Sequence, residues 1–312
     1  MLKYFLHRFL EIIPILFIIS ILIFLFVHLI PGDPARLILG EEATAIDLKL
    51  TREKLGLDKP LLTQYSIFIG NLLRGDLGIS MAADRPIMDI LKRKFPPTLY
   101  LSLISMVWAV ILGLVIGTIS AVKRGKWQDY LGMFTAVSGI SIPNFWLGLL
   151  LMEFFCVRLG WLPTMGYGNW KNFILPSLTL GAGIAAVIAR FSRSSLMEVL
   201  REDYIRTARA KGLKEMVVLN RHAIRNSMIP VVTMIGLQFG FLLSGSIVVE
   251  LVFSWPGVGR LMIDAIKARD YPVIQIVMLL FSVQFIFLNL LVDIVYAFLN
   301  PQISYTKKSG KS

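Results

Sequence analysis

Several apolar runs in this sequence approach the roughly 20 residues that a helix needs to cross the hydrocarbon core of a bilayer. The chain is 56% hydrophobic and has a mean hydropathy of +0.70. A soluble domain of this size cannot bury so much apolar surface, because the buried fraction rises only slowly with chain length. We therefore predict an all-α integral membrane protein. Its six expected transmembrane helices cover residues 12–30, 98–122, 131–157, 174–188, 228–249 and 273–299.

The first apolar run follows a short basic N-terminus and in that respect resembles a signal peptide. It is long enough to span a membrane and no small-residue cleavage site closes it, so we expect an uncleaved first span. Two prolines and a glycine should end this helix at 31–34. Within the third span, Pro143 should kink or break the helix.

Residues 35–97 form a long polar segment of mixed charge between the first two spans. Two amphipathic pieces are predicted in it, at 46–55 and 61–74, and they are separated by Gly56 and Pro60. This pattern predicts a small helical domain on one side of the membrane.

The distribution of Lys and Arg predicts the orientation of the chain. With six spans, both termini lie on one side, and the short segments on that side carry seventeen Lys and Arg against five in the opposite short loops. The excess places both termini in the cytoplasm. It also accounts for the net charge of +12 without a nucleic-acid partner.

The sequence offers no grouping typical of an active site or a metal site. Its single cysteine, Cys156, lies in an apolar run, its three histidines are far apart, and it has no CxxC or HExxH motif. The C-terminal Gly310-Lys311-Ser312 lacks the earlier glycine and the following helix of a phosphate-binding loop. We expect no catalytic residue, cofactor or metal, and any ATP hydrolysis should occur on other subunits.

Small residues recur inside the spans at spacings that allow close helix packing. They include the GxxxG pairs Gly113/Gly117 and Gly236/Gly240 and a cluster at 181–186. Ordinary tight packing and a mobile bundle around a pathway both explain them. The candidate pathway-lining residues are Gln238, Gly240, Ser244 and Ser246.

Two further predictions concern charged residues near the ends of spans. Glu153 and Arg158 should form an interfacial ion pair, and Asp293 either pairs with an arginine of the basic stretch or reaches toward water.

The basic stretch 201–230 is the longest cationic interruption in the second half of the chain. Asp203 is expected to cap a short helix that Gly212 ends. A helix there would place four residues on one face, with an aromatic and small side chains suited to a groove on another protein: Tyr204, Thr207, Ala208 and Lys211. A solvated basic loop that only sets topology is the alternative.

This stretch resembles the coupling motif of permease subunits in binding-protein-dependent ABC importers. Arg206-Thr207-Ala208 followed by Gly212 occupies the place of that family's EAA-x3-G motif, in the form found in the dipeptide, oligopeptide, nickel and glutathione branch. Arg206 replaces the family's glutamate and Arg225 replaces a proline, as is usual in the first-permease type of this branch. The resemblance assigns coupling to Asp203, Tyr204, Arg206, Thr207, Ala208, Arg209, Ala210, Lys211 and Gly212.

The resemblance covers nearly the whole chain and is greatest to glutathione-import permeases. It implies the type I ABC importer permease fold, with six transmembrane helices and a small extracytoplasmic helical domain between the first two. The implied divisions are an N-terminal segment with the first helix, an extracytoplasmic segment, a five-helix core with its coupling helix, and a cytoplasmic tail: 1–30, 31–97, 98–299 with 203–212, and 300–312.

The resemblance also implies the partners and the location. These are a second homologous permease, two cytoplasmic ABC ATPases and an extracytoplasmic solute-binding protein, in a bacterial inner membrane. The substrate would be a dipeptide, an oligopeptide or glutathione, with nickel or another small solute as the alternative. A self-sufficient secondary transporter and a membrane-anchored scaffold are the rival functions.

Overall fold

The structure is a computed structural model that describes residues 2–29 and 44–299. Over these residues it is helical except for one short hairpin and the connecting turns. In chain order the elements are α1 (Leu2–His28), α2 (Ala45–Leu55), α3 (Leu61–Leu73), β1 (Ile79–Ser80), β2 (Arg85–Pro86), α4 (Ile87–Val122), α5 (Trp127–Ser141), α6 (Asn144–Met152), a π-helical segment (Glu153–Arg158), α7 (Trp170–Val199), α8 (Asp203–Ala210), α9 (Glu215–Val217), a second π-helical segment (Val218–Ile224), α10 (Arg225–Val252), α11 (Val258–Lys267) and α12 (Tyr271–Leu299).

Four of the described helices are long and apolar enough to cross a membrane. They contain the segments Leu10–His28, Ile87–Val122, Trp170–Val199 and Tyr271–Val292. Two bent helix pairs also qualify if each pair is one span, and they are Trp127–Ser141 with Asn144–Arg158 and Glu215–Leu242 with Ser246–Val252. The count therefore lies between four and six, and it reaches the predicted six when both bent pairs span.

Pro143 breaks the third span as predicted. Helix α5 ends at Ser141, Pro143 precedes α6, and the two helices meet at an angle of 104°. After α6 the chain continues as π-helix, in which Arg158 donates from Nε to Glu153 Oε1 over 3.2 Å. The predicted ion pair is thus confirmed. The two residues are five positions apart, and a π-helix, which has one more residue per turn than an α-helix, places them one above the other.

Helix α4 begins at Ile87, eleven residues before the predicted start of the second span. It continues through Pro96 and Pro97. A proline deprives the carbonyl four residues earlier of its donor, and here those carbonyls belong to Lys92 and Arg93, which are both exposed to solvent. Helix α11 and the β1–β2 hairpin were not predicted from the sequence.

The two amphipathic helices of the polar segment are confirmed to within one residue as α2 and α3. Gly56 ends α2 in the left-handed conformation, with φ +69°, and Pro60 precedes α3. The predicted turn at 31–34 and the tail at 300–312 lie outside the described residues.

Contacts within the chain divide it into two compact units. The first consists of Met1–Tyr100, Met165–Tyr167 and Ser246–Ile286. Its apolar core brings α1, the start of α4, α11 and α12 together, and its most buried members include Ile87, Val258 and Val277.

A buried carboxylate organises one corner of the first unit. Glu250, near the end of α10, is fully buried and accepts hydrogen bonds from Thr98 Oγ1 at 2.7 Å and from the Arg260 amide at 3.0 Å. Thr98 Oγ1 in turn accepts from the Val258 amide at 2.8 Å. These bonds satisfy amides at the start of α11 and tie it to α4.

Asp270 plays a comparable role for the hairpin of the same unit. Its carboxylate, almost fully buried, accepts from the Ser80 hydroxyl and from the amides of Met81 and Ala82. The turn between β1 and β2 is therefore held by a residue 190 positions further along the chain.

The second unit consists of Leu101–Thr164, Gly168–Gly245 and Phe287–Ser312. In it the Gly113/Gly117 pair of α4 lies against α7. A Cβ built on Gly113 would stand 2.8 Å from the Ala185 carbonyl oxygen, and one on Gly117 would stand 2.5 Å from that of Ala189. The predicted close packing at this GxxxG pair is confirmed.

Candidate functional site

The predicted short helix of the basic stretch is present as α8. It begins after Glu202, whose φ of −65° and ψ of 147° are those of a cap residue, and no side chain caps it. The prediction that Asp203 is the cap is therefore wrong, because Asp203 already has helical geometry and only places an acid in the first turn. Gly212, with φ +76°, takes the left-handed conformation that ends helices, as predicted.

The inner side of α8 packs on its own chain. Ile205 is fully buried and Ala208 is 7% exposed. Both belong to a cluster that joins α8 to the ends of α4 and α7 and to the second π-helical segment, with Ala121, Leu196, Val218 and Ala223. Ile205 and Ala208 lie three residues apart on the same side of α8, and that side is buried in the cluster. Ala208 therefore does not share an exposed docking face with Tyr204.

The outer side of α8 is polar and exposed. Tyr204 is 41% exposed, and its hydroxyl accepts a hydrogen bond of 2.9 Å from Asn226 Nδ2. Thr207 Oγ1 donates to the Asp203 carbonyl oxygen over 3.0 Å, and Arg206 lies 3.4 Å from the Asp203 carboxylate. Ala210 and Lys211 are exposed at the end of the helix.

An ion pair closes the turn that follows α8. Arg209 donates from Nη2 to Glu215 Oε1 over 2.6 Å and from Nε to Oε2 over 3.1 Å. This two-bond geometry fixes orientation as well as distance. The hydrogen bonds between them raise the pKa of the Arg209 guanidinium and lower the pKa of the Glu215 carboxyl, so both groups stay charged across the physiological range.

The segment after Gly212 carries exposed apolar side chains that sequence reasoning missed. Leu213 is 41% exposed, Met216 is 67% exposed and Val217 is 39% exposed. Three such residues within five positions, next to the polar side of α8, form the kind of surface that a protein partner covers. The apolar residues between Leu213 and Val217 are visible in the sequence. The predicted docking face ended at Lys211 and so did not include them.

The four candidate pathway residues differ in how far they are buried and in whether their side chains are described. Gln238 is half-buried and Gly240 is buried. Ser246 is fully buried and bonds to Glu250, so the structure gives no support to a pathway-lining role for it. The side chains of Ser244 and Asp293 lie outside the described part of the chain.

Two family models match this sequence. Residues 113–305 match the family described as binding-protein-dependent transport system inner membrane component. Residues 1–102 match the N-terminal family of the same membrane components. Together the two matches cover most of the chain and include the whole basic stretch.

Curated relatives match over the full length. The chain is 59% identical over 305 residues to the glutathione transport system permease protein GsiC of Escherichia coli (strain K12), covering 98% of this chain and 100% of that protein. It is 58% identical, with the same coverage, to the protein of that name from Pectobacterium atrosepticum.

Solved structures share the fold at lower identity. A chain from inward-facing conformations of the MetNI methionine ABC transporter matches with a TM-score of 0.59 and 20% identity, covering 68% of this chain and 97% of that one. A chain of an amino acid ABC transporter matches with a TM-score of 0.54 and 16% identity, covering 67% and 94%. At these identities the likeness concerns the fold alone.

Proposed function

The chain belongs to the family of inner membrane components of binding-protein-dependent transport systems, and from that membership we propose that it forms half of the pathway by which an ATP-driven importer moves a small peptide. It is a permease subunit with the type I importer fold. Glutathione is the substrate that we propose first. The observation that carries this choice is the 59% identity over full length to permeases named for glutathione transport.

We assign the rest of the importer to partners. A second homologous permease would complete the pathway, two cytoplasmic ABC ATPases would hydrolyse ATP, and an extracytoplasmic protein would deliver the solute. Both termini of this chain would lie in the cytoplasm with the basic stretch, in agreement with the excess of Lys and Arg on that side.

In this proposal the segment 203–212 transmits the movement of an ATPase to the permease. Its inner side supports that function, because Ile205 and Ala208 are fixed to Leu196 of α7 and Ala121 of α4. A push on α8 would therefore reach two spanning helices with little local deformation.

The proposed ATPase contact is made by the exposed residues rather than by Ala208. Tyr204 offers an aromatic surface, and Leu213, Met216 and Val217 extend it beyond the end of α8. Exposed aromatic and apolar anchors with a charged rim are the usual energetic centre of a protein interface.

A tyrosine substitution tests this contact. Tyr204→Ala should weaken binding of the ATPase by about 1 to 2 kcal/mol, the cost typical of an interface anchor, and should lower uptake with it. Tyr204→Phe keeps the ring and loses only the bond from Asn226, so it should retain most uptake. Tyr100→Ala is the matched control, because Tyr100 is 51% exposed on α4 and lies 21 residues before Ala121, the α4 residue that packs with α8.

The assay is co-purification of the ATPase with each variant, followed by uptake of radiolabelled glutathione into proteoliposomes that contain all subunits. Equal ATPase recovery for Tyr204→Ala and Tyr100→Ala would contradict the proposed contact. Uptake of a dipeptide or of Ni²⁺ but not of glutathione by the wild-type importer would contradict the proposed substrate and leave the coupling assignment intact. Uptake by this chain alone without ATP would contradict the importer itself.

A further inference from the structure

Two charged residues of the second unit meet inside the helix bundle, close to the candidate coupling site. Arg193 of α7 donates from Nε to Asp129 Oδ1 over 2.6 Å and from a second nitrogen to Oδ2 over 2.8 Å. The Gly125 amide also donates to Oδ2, over 3.0 Å. Asp129 is 3% exposed, and the Arg193 side chain is 27% exposed.

The ion pair connects α5, α7 and the turn between α4 and α5. Asp129 is the third residue of α5, and Gly125 forms the left-handed turn between α4 and α5, with φ +73°. Arg193 lies one helical turn before Leu196, which packs in the same cluster as Ile205 and Ala208 of α8. Arg193 therefore lies one helical turn from the place where α7 packs against the proposed coupling helix.

Stability alone is a weak reason for such a pair. A buried ion pair costs desolvation that its Coulomb attraction roughly repays, and apolar side chains of similar volume often stabilise a fold as well. What a two-bond arginine–carboxylate contact adds is geometry, because it fixes both distance and angle.

The packing beside the pair shows why geometry matters there. Helices α5 and α7 approach each other through small residues, and a Cβ built on Gly139 would stand 3.3 Å from the Ala186 methyl. Ala136 and Ala189 continue the same smooth contact. Small side chains allow close approach but interlock little, so they resist sliding of one helix along the other weakly.

We propose that Arg193 and Asp129 are positioning residues that fix the register between α5 and α7, so that both helices move as one body with the coupling helix. This inference rests on the proposed coupling function of 203–212. The pair touches neither solute nor nucleotide, and it acts through the helices that it joins.

The variants separate the effect of losing one charge from the effect of losing the two-bond geometry, and a control removes a different arginine of the same helix. Arg193→Gln and Asp129→Asn each remove one charge, and Arg193→Lys keeps the charge but loses the two-bond fork. Arg190→Gln is the matched control, since Arg190 lies on the same helix one turn earlier and is exposed.

The first readout is the distance between α5 and the end of α7 in the complete complex, which requires no knowledge of the solute. Cys156, the single cysteine, is replaced by Ser, and spin labels are attached at the exposed positions Val137 and Glu198. In wild type and Arg190→Gln the distance should be narrow and the same without nucleotide and after ATP–vanadate trapping. In Arg193→Gln, Arg193→Lys and Asp129→Asn it should broaden or shift between the two states.

The second readout is the amount of radiolabelled glutathione imported per ATP hydrolysed in proteoliposomes. The three pair variants should lower this ratio by about 2-fold to 30-fold, the range expected when a residue modulates coupling between distant sites. A purely structural role would lower the amount of assembled complex and leave the ratio unchanged.

The outcomes separate the two proposals. An unchanged distance distribution in Arg193→Lys and Asp129→Asn would overturn the positioning function, whatever the solute. A wild-type complex that imports no glutathione would contradict the proposed substrate, and the distance measurement would still decide the positioning function. A lowered ratio in Tyr204→Ala together with a normal ratio in all three pair variants would retain the coupling helix and overturn the inference.

Discussion

The contact between α4 and α7 leads to a quantitative prediction at Gly117. A Cβ at this position would stand 2.5 Å from the Ala189 carbonyl oxygen and 2.7 Å from Ser192 Cβ. Ordinary van der Waals contact begins near 3.4 Å. Both obstacles are rigid parts of α7, so the substitution Gly117→Ala has to push two helices apart by most of an ångström.

The expected cost follows from comparison with a second glycine. Adding a methyl group to a well-packed interior typically costs about 1 to 3 kcal/mol. Alanine is also the better helix former, by about 1 kcal/mol, which masks part of that cost. Gly183 of α7 supplies the correction, because a Cβ there meets only the Gly139 carbonyl oxygen at 3.8 Å. The difference between Gly117→Ala and Gly183→Ala should therefore be the packing cost itself.

The measurement is unfolding of each purified variant in mild detergent by rising fractions of sodium dodecyl sulfate, followed by the fluorescence of the six tryptophans. Gly117→Ala should have a free energy of unfolding about 1 to 3 kcal/mol below that of Gly183→Ala. Equal unfolding curves would refute the close helix contact at Gly117. Gly117→Leu should be less stable than Gly117→Ala, which checks that volume is the cause.

Two further predictions concern the buried carboxylates of the first unit. Glu250→Ala should lower the free energy of unfolding by about 2 to 5 kcal/mol in the same assay, because it leaves the Thr98 O–H and the Arg260 N–H without their acceptor beside a cavity; a cost equal to that of Glu198→Ala at an exposed position would contradict it. Asp270→Ala should release the hairpin turn and speed hydrogen exchange of amides 81 and 82 by about 10-fold or more, and mass spectrometry showing unchanged exchange would rule out Asp270 as the anchor.

The spans and the chain breaks were predictable because they depend on local sequence. Apolar length identified four spanning helices and two bent pairs that qualify if each pair is one span, although the second span was placed too late at its start. Pro143, Gly56 and Gly212 act through their own backbone restrictions, so their consequences were visible without tertiary structure.

The side-chain pairings were not predictable in the same way. Glu250 bonds to Thr98, which lies 152 positions away in the sequence, and Asp129 bonds to Arg193, which lies 64 positions away. Only the packed fold brings these residues together. The prediction that Ala208 lies on the exposed side of its helix was wrong for a related reason. An amphipathic pattern shows that a helix has two sides, but which side the chain covers depends on the neighbouring helices.

The π-helical segment Val218–Ile224 has a consequence for insertions and deletions. A π turn contains one residue more than an α turn, so it corresponds to a single-residue insertion in an otherwise continuous helix. Deleting one residue there would restore α-helix and leave α8 facing nearly the same direction relative to α10, because the wider π turn already accommodates the additional residue. Alignments that place a gap in this segment therefore pair subunits whose basic stretch points in nearly the same direction, even though their chains differ in length by one residue.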